Sequence, residues 1–210
     1  MTLRNITCAV TLCLLTLSGQ AVGKTEVPPY KNKSLSIEKR VDDLMGRMTL
    51  REKVLQLQNR GAGRLDEIDR IFNGESYGCT HEMGTTAAEC AAMYKELQQY
   101  MLTKTRLGIP IITSVEGIQG ILQNNCTLFP HALAQGSTFN PALIQRMTEA
   151  AGEEAKVIGI HQILSPVLDI ARELRWGRVE ETFGEDPYLI SEMGIAFING
   201  YQKNLSLIHI

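Results

Sequence analysis

The 210-residue chain lacks the charge excess that a polyanion partner would demand. Lys and Arg number 21 against 23 Asp and Glu, a net charge of −2, so nucleic acid and anionic membrane are excluded as expected partners. No apolar run reaches the roughly eighteen residues needed to cross a bilayer, so membrane insertion is not expected. No G-x-G-x-x-G stands at a strand-to-helix turn, which removes the dinucleotide-binding signature, and no C-x-x-C pair offers metal-ligand spacing. Aromatics are scarce, at 6% with Trp176 the single tryptophan. What remains, 44% hydrophobic and 21% charged residues, is the composition of an ordinary globular fold.

The first 23 residues, MTLRNITCAVTLCLLTLSGQAVG, combine an early positive charge at Arg4, an apolar stretch from Ile6 to Leu17, and small residues at Ala21 and Gly23. That is the layout of a signal peptide, and it predicts export to the periplasm or the extracellular space. Cleavage after Gly23 leaves Cys79, Cys90 and Cys126. In an oxidising compartment one disulfide is possible, with Cys79–Cys126 as the pairing considered, while Cys90 falls in a helical stripe and reads as a small core residue. At the other end LSLIHI, Leu205 to Ile210, follows a well-formed amphipathic helix without any polar cap and reads as a tail foreign to the fold.

Between these ends the apolar spacing is regular. Ile37, Val41, Leu44, Met45 and Met48 recur at helical intervals. Thr49 and Glu52 form a capping box that starts a helix through Val54, Leu55 and Leu57. The stretch from Gly61 to Thr86 predicts one short helix around Leu65 to Ile71 and otherwise loop. A helix over Ala87–Lys104 is followed by a β-branched run, Ile109 to Val115, read as a strand buried on both faces. Asn140 as N-cap, Pro141 at the first helical position and Gly159 near the stop frame the next helix. Ile163 to Leu168 is again strand-like, and Asp186-Pro187 opens a last helix with Leu189, Ile190, Met193, Phe197 and Tyr201 inward. Strands separated by helices of more than ten residues imply α/β architecture with parallel strands. The charge-rich segment from Asp169 to Glu185 after the second strand favours a (β/α)8 barrel, whose active sites lie at the carboxyl ends of the strands. A complete barrel takes roughly 250 residues, so the expectation is a partial TIM-type barrel, its N-terminal portion, over residues 24–204.

Two strand-end segments carry candidate chemistry. In SVEGIQG, Glu116 falls just past the β-run, with Gly117 and Gly120 allowing close backbone approach. In SPVLDIARELRWGRVEETFGEDPYL, one loop gathers Asp169, Arg172, Glu173, Arg175, Trp176, Arg178, Glu180, Glu181, Glu185 and Asp186. Charged groups that hydrogen-bond hydroxyls, beside an aromatic face for C–H surface, suit a neutral polyol such as a sugar. Each charged hydrogen bond contributes on the order of 1.5–3 kcal/mol. Arg172, Glu173, Arg175, Glu180, Glu181 and Glu185 are expected to be solvated or mutually paired, Asp169 to structure the loop, and His131 and His161 to be structural.

The run SPVLDIARELRWGRVEETFGEDPYL resembles the signature stretch of glycoside hydrolase family three, the β-glucosidase-like enzymes. RVDDLMGRMTLREKVLQL and RLGIPIITSVEGIQG resemble that family's opening helices and an early barrel strand. The resemblance implies a (β/α)8 or collapsed barrel, retaining hydrolysis of terminal β-linked sugars, and no cofactor or metal. It points to Glu116 and Arg178 as substrate-binding residues, with Trp176 either a sugar platform or a plug beneath the loop. Gln119 stands where the family usually has His; it can hydrogen-bond but cannot carry a proton, and so belongs behind the sugar-contacting residues. The family's Lys-His pair, its Asp nucleophile and its Glu acid/base match no position here, so the resemblance assigns no catalytic residue. The implied partner is a β-linked oligosaccharide or glucoside. A β-xylosidase, and a non-catalytic sugar-binding or scaffold protein on the same barrel, are the alternatives.

Overall fold

The computed structural model of the protein describes residues 27–81 and 86–204. The expected leader over 1–23 and tail over 205–210 therefore lie outside the described residues. Two compact units divide the chain between Arg47 and Met48.

In the first unit a 3-10 turn at Pro29–Lys31 precedes helix α1, Ile37–Arg47. Asp43 joins the two: its carboxylate accepts from the Tyr30 backbone N–H at 3.1 Å and from Arg47, four residues on, at 2.8 and 3.0 Å.

The second unit begins with α2, Leu50–Leu55, and continues through α3 (Ile68–Phe72), β1 (Cys79–His81), α4 (Ala87–Lys104), β2 (Ile112–Val115), α5 (Ala132–Gly136), α6 (Pro141–Ile158), β3 (Gln162–Ile163) and α7 (Pro187–Asn204). The three strands form one parallel sheet in the order β1-β2-β3. Thr80 lies opposite Thr113, and Ser114 and Val115 lie opposite Gln162 and Ile163. Asn59 extends the sheet by a parallel bridge to Cys79. Long helices alternate with these strands and bury Tyr94, Leu97, Met101, Ile144, Met193 and Phe197 in one core cluster, which Phe183 joins from the loop before α7. This is the wall of an α/β barrel, helices outside a parallel sheet.

Local chemistry sets the helix ends. Thr49 and Glu52 make the expected capping box, and Thr86 and Glu89 make a second at the start of α4. Asn140 accepts from the Leu143 N–H at 3.1 Å, and Gly159 ends α6 in the left-handed region at φ 89°. Helices α6 and α7 cross closely because residue 200 is glycine: a Cβ there would lie 1.9 Å from Thr148 Oγ1 and 2.5 Å from the Gln145 carbonyl oxygen.

Several sequence expectations need correction. The stretch from Gly61 to Thr86 contains strand β1, whose three residues, Cys-Thr-His, carry no apolar alternation and pair only because tertiary neighbours offer a ladder. Helix α2 stops at Leu55, and Leu57 is exposed, since the chain must turn to bring Asn59 to Cys79. The second predicted strand, Ile163 to Leu168, shortens to Gln162–Ile163, because Pro166 has no N–H to give the ladder. Burial on both faces fails at Ile112, which is 49% exposed: Ile111 faces α4, whose Gln98 accepts from its N–H, and alternation turns Ile112 to the opposite face. Helix α5 was not indicated by the sequence pattern. Cys79, Cys90 and Cys126 are all thiols, so Cys79–Cys126 is not joined. His161 is structural, as expected: the Thr113 hydroxyl donates to the Gly159 carbonyl at 2.6 Å, accepts from the His161 N–H at 3.1 Å, and meets His161 Nδ1 at 2.6 Å.

The amino-terminal edge of the sheet is closed by ion pairs. Glu52 receives Arg106 at 2.8 and 2.6 Å and the Thr49 N–H at 2.8 Å. The Arg106 hydrogen bonds, with those of Thr49, hold its carboxyl down at about 2. The folded value lies below the ordinary 4.5, so this stabilisation is complete above that value and is lost as pH falls from 4.5 toward 2. Glu52→Gln is therefore expected to lower the unfolding midpoint in denaturant at pH 7 and to narrow the difference between midpoints at pH 7 and pH 3. An unchanged difference would show that Glu52 is not coupled to folding.

Candidate active-site rim

Parallel strands release their following loops at one edge, and both candidate segments leave from it. β2 ends at Val115, so Glu116 and Gly117 begin the first loop; β3 ends at Ile163, and the chain then runs through Ser165 to the long charged loop. The two are tied together at their roots. The Ser165 hydroxyl donates to the Glu116 carbonyl, and the Val167 backbone bridges to Thr182 across the base of the second loop.

Helix α7 secures the first loop from behind. The buried Tyr201 hydroxyl donates to the Gly117 carbonyl at 2.7 Å, and burial pushes the Tyr201 phenol well above its ordinary range. Residue 117 must be glycine on two counts: its φ is +72°, and a Cβ would lie 2.6 Å from Ile163 Cγ2. The backbone next to Glu116 is thus fixed by a strand neighbour on one side and a helix on the other.

In the second loop Arg178 precedes, and Glu181 ends, a 3-10 turn at Val179–Glu181. Their side chains meet fork to fork, Nε to Oε1 at 2.9 Å and Nη2 to Oε2 at 2.6 Å. The Glu181 hydrogen bonds raise the Arg178 pKa, and the carboxylates of Glu116 and Asp169 add to the same field. Arg178 in turn lowers Glu181, with a smaller contribution from His131. The geometry therefore gathers Glu116, Asp169, Arg178, Glu181 and His131 at one edge, drawn from the loops after β2 and β3 and the start of α5. Arg178 keeps 56% of its side chain exposed while Glu181 keeps 20%, so the guanidinium is oriented from below and open above. Such a rim presents fixed donors and acceptors to hydroxyl groups.

The other sequence candidates fall as follows. Trp176 is half-buried. Gln119 turns inward: its Oε1 is buried without a hydrogen-bond partner, while its carbonyl accepts from the Phe129 N–H at 2.8 Å. Glu173 and Arg175 pair with each other at 2.8 and 2.7 Å on the surface, the mutual pairing expected of them. Glu181, placed with that group by sequence, instead serves Arg178; the i,i+3 spacing of opposite charges was the signal available for it. His131 and Tyr201 had no such signal. Among the described residues no cluster of His, Cys, Asp and Glu could hold a metal ion. A cavity of about 220 Å³ lined by Arg51, Glu52, Glu75, Ser76 and Arg106 sits at the amino-terminal ends of the strands, where its charges are already paired.

A parallel sheet with outer helices and a charged rim at its carboxyl edge defines part of an α/β barrel. The profile described as the glycosyl hydrolase family 3 N terminal domain matches residues 49–209. The chain belongs to that family, and its sheet and helices are part of a TIM-barrel-like fold. It is 42% identical over 113 residues to a β-xylosidase of Formosa agariphila, covering 51% of this chain and 16% of that protein. It is 30% identical over 200 residues to the periplasmic β-glucosidase/β-xylosidase of Dickeya chrysanthemi, covering 83% and 30%. The solved β-glucosidase from Erythrobacter marinus superimposes with a TM-score of 0.69 at 30% identity, over 82% of this chain and 24% of that one. The chain thus spans less than a third of the length of these relatives.

Tyr201→Phe removes the one donor that the described residues give the Gly117 carbonyl. The expected cost is about 1–3 kcal/mol, the penalty for a buried acceptor left unpaired, measured by urea unfolding. No change in midpoint would mean that the hydroxyl does not hold this loop.

Proposed function

We propose that this chain forms the sugar-gripping wall of an exported glycoside hydrolase that removes terminal β-linked glucosyl or xylosyl residues from oligosaccharides and glucosides, with retention at the anomeric carbon. The observation that carries the reading is that the loops bearing Glu116 and Arg178 leave one edge of a parallel sheet and are tied at their roots, by Ser165 to the Glu116 carbonyl and by Val167 to Thr182. In this arrangement Glu116 accepts from sugar hydroxyls, and Arg178, steadied by Glu181, donates to them. The half-buried Trp176 is the nearest aromatic along the chain for the ring's C–H face.

Retaining hydrolysis requires two carboxyl groups about 5–5.5 Å apart on either side of the scissile bond. Within this reading Glu116, Asp169 and Glu181 bind and orient, since Glu181 is committed to Arg178 and the family pattern supplies no nucleophile or acid/base at any of the three. The names of the relatives favour β-glucosides and β-xylosides alike. The two sugars differ by one hydroxymethyl group, and no contact described here discriminates it. Export is supported by the signal-peptide layout of residues 1–23 and by the periplasmic relative.

The test is Arg178→Ala in the enzyme expressed from the intact reading frame, assayed on aryl β-glucosides and β-xylosides. Loss of charged hydrogen bonds to the sugar is expected to cost about 1.5–3 kcal/mol each, a fall in kcat/KM of roughly ten- to more than a hundredfold. An unchanged kcat/KM would remove Arg178 from the site. If the intact protein binds a glucoside and never releases the aglycone, the non-catalytic sugar-binding alternative replaces this reading.

A further inference from the structure

The loop that follows the Glu116 segment docks on the first turn of α4. Asn124 forms a parallel bridge with Thr86, and its carbonyl accepts from the Ala87 N–H at 3.1 Å. Each partner has a cysteine a short step further along. Cys90 lies one turn into α4, its N–H bonded to the Thr86 carbonyl at 2.9 Å, and it is fully buried. Cys126 follows Asn124 by two residues, its N–H bonded to the Gln123 carbonyl at 3.0 Å, and it packs half-buried against the cluster that contains Cys90. Cys79, by contrast, sits within the β1 ladder, paired with Asn59 on one side and Ile112 on the other.

We infer that Cys90 and Cys126 are a dithiol pair that closes to an intramolecular disulfide, fastening the 121–127 loop to α4. The reaction converts two thiols to one S–S bond, releasing two protons and passing two electrons to a small-molecule disulfide, which is reduced to two thiols. The attacking sulfur is the half-buried Cys126, reachable by the oxidant; the mixed disulfide it forms is then displaced by Cys90. Burial, Glu154 and Cys90 itself raise the Cys126 pKa, so thiolate is scarce near neutrality and closure quickens as pH rises. The closed form ties down the chain that follows Gln119 in the loop after β2. Unlike Cys79–Cys126, this pairing joins two segments already hydrogen-bonded to one another.

The experiment is to incubate the full chain, native and in guanidinium, with oxidised glutathione at pH 7 and pH 9, and to map disulfides by mass spectrometry of unreduced digests. The native chain is expected to give Cys90–Cys126 as the dominant linkage, faster at pH 9, with Cys79→Ser leaving it intact and Cys126→Ala abolishing it. The guanidinium-unfolded chain is expected to give mixed linkages. A native map as mixed as the unfolded one, a dominant linkage involving Cys79, or disulfide-linked dimers would each overturn the pairing. Cys126→Ala exchanges one small half-buried side chain for another. Should it also fail to fold, blocking of Cys126 by iodoacetamide before oxidation provides the second readout, with loss of the Cys90 linkage expected and its persistence contradictory.

Discussion

The parallel register between β2 and β3 governs everything else in this molecule. Val115 opposite Ile163 means that two segments far apart in sequence leave the sheet at the same edge. A shift of one residue would turn Thr113 and Val115 out of the core and send Ile112 in. The register is held by the backbone ladder, by the Thr113 hydroxyl that binds Gly159 and His161 at the start of β3, and by Ser165 reaching the Glu116 carbonyl at its end. With it in place, the loops that carry Glu116 and Arg178 leave the sheet at a common edge.

The two edges of the sheet use charge differently. At the amino-terminal edge Arg51 with Glu75 and Arg106 with Glu52 close pairwise around a small cavity, a pattern that belongs to stability. Exposed pairs of this kind contribute only about 0–1 kcal/mol each, so the buried side chains of α4, α6 and α7 carry most of the fold. At the carboxyl edge Arg178 faces more carboxylates than it needs, one bound to it and two acting from nearby. An excess of acceptors around one open guanidinium stabilises the fold little, and the proposed grip on sugar hydroxyls would make use of it.

Much of this was legible in the sequence wherever the information is local. The bounds of α4 and α6 follow from apolar spacing, Asn140, Pro141 and Gly159, all of which act within a few residues of themselves. Strand β1 was not legible, because Cys79, Thr80 and His81 become a strand only through partners at Gln58–Asn59 and Ile112–Ser114. The end of β3 depends on Pro166, a local signal that the apolar run of neighbours obscured. At the candidate site, the RWGR and VEGIQG motifs point to Arg178 and Glu116 by resemblance, and the loops that carry them leave the same edge of the sheet. The supports, Tyr201 behind Gly117 and His131 beside Glu181, arise from packing between distant segments, and no spacing in the chain announces them.

The proposed convergence of Glu116 and Arg178 on one ligand is best measured by a double-mutant cycle in the intact enzyme, taking kcat/KM on an aryl β-glucoside for Glu116→Ala, Arg178→Ala and the pair. Two side chains gripping the same sugar ring predict a coupling energy of about 0.5–3 kcal/mol. Losses that simply add would place the two groups at separate sites and contradict the shared rim.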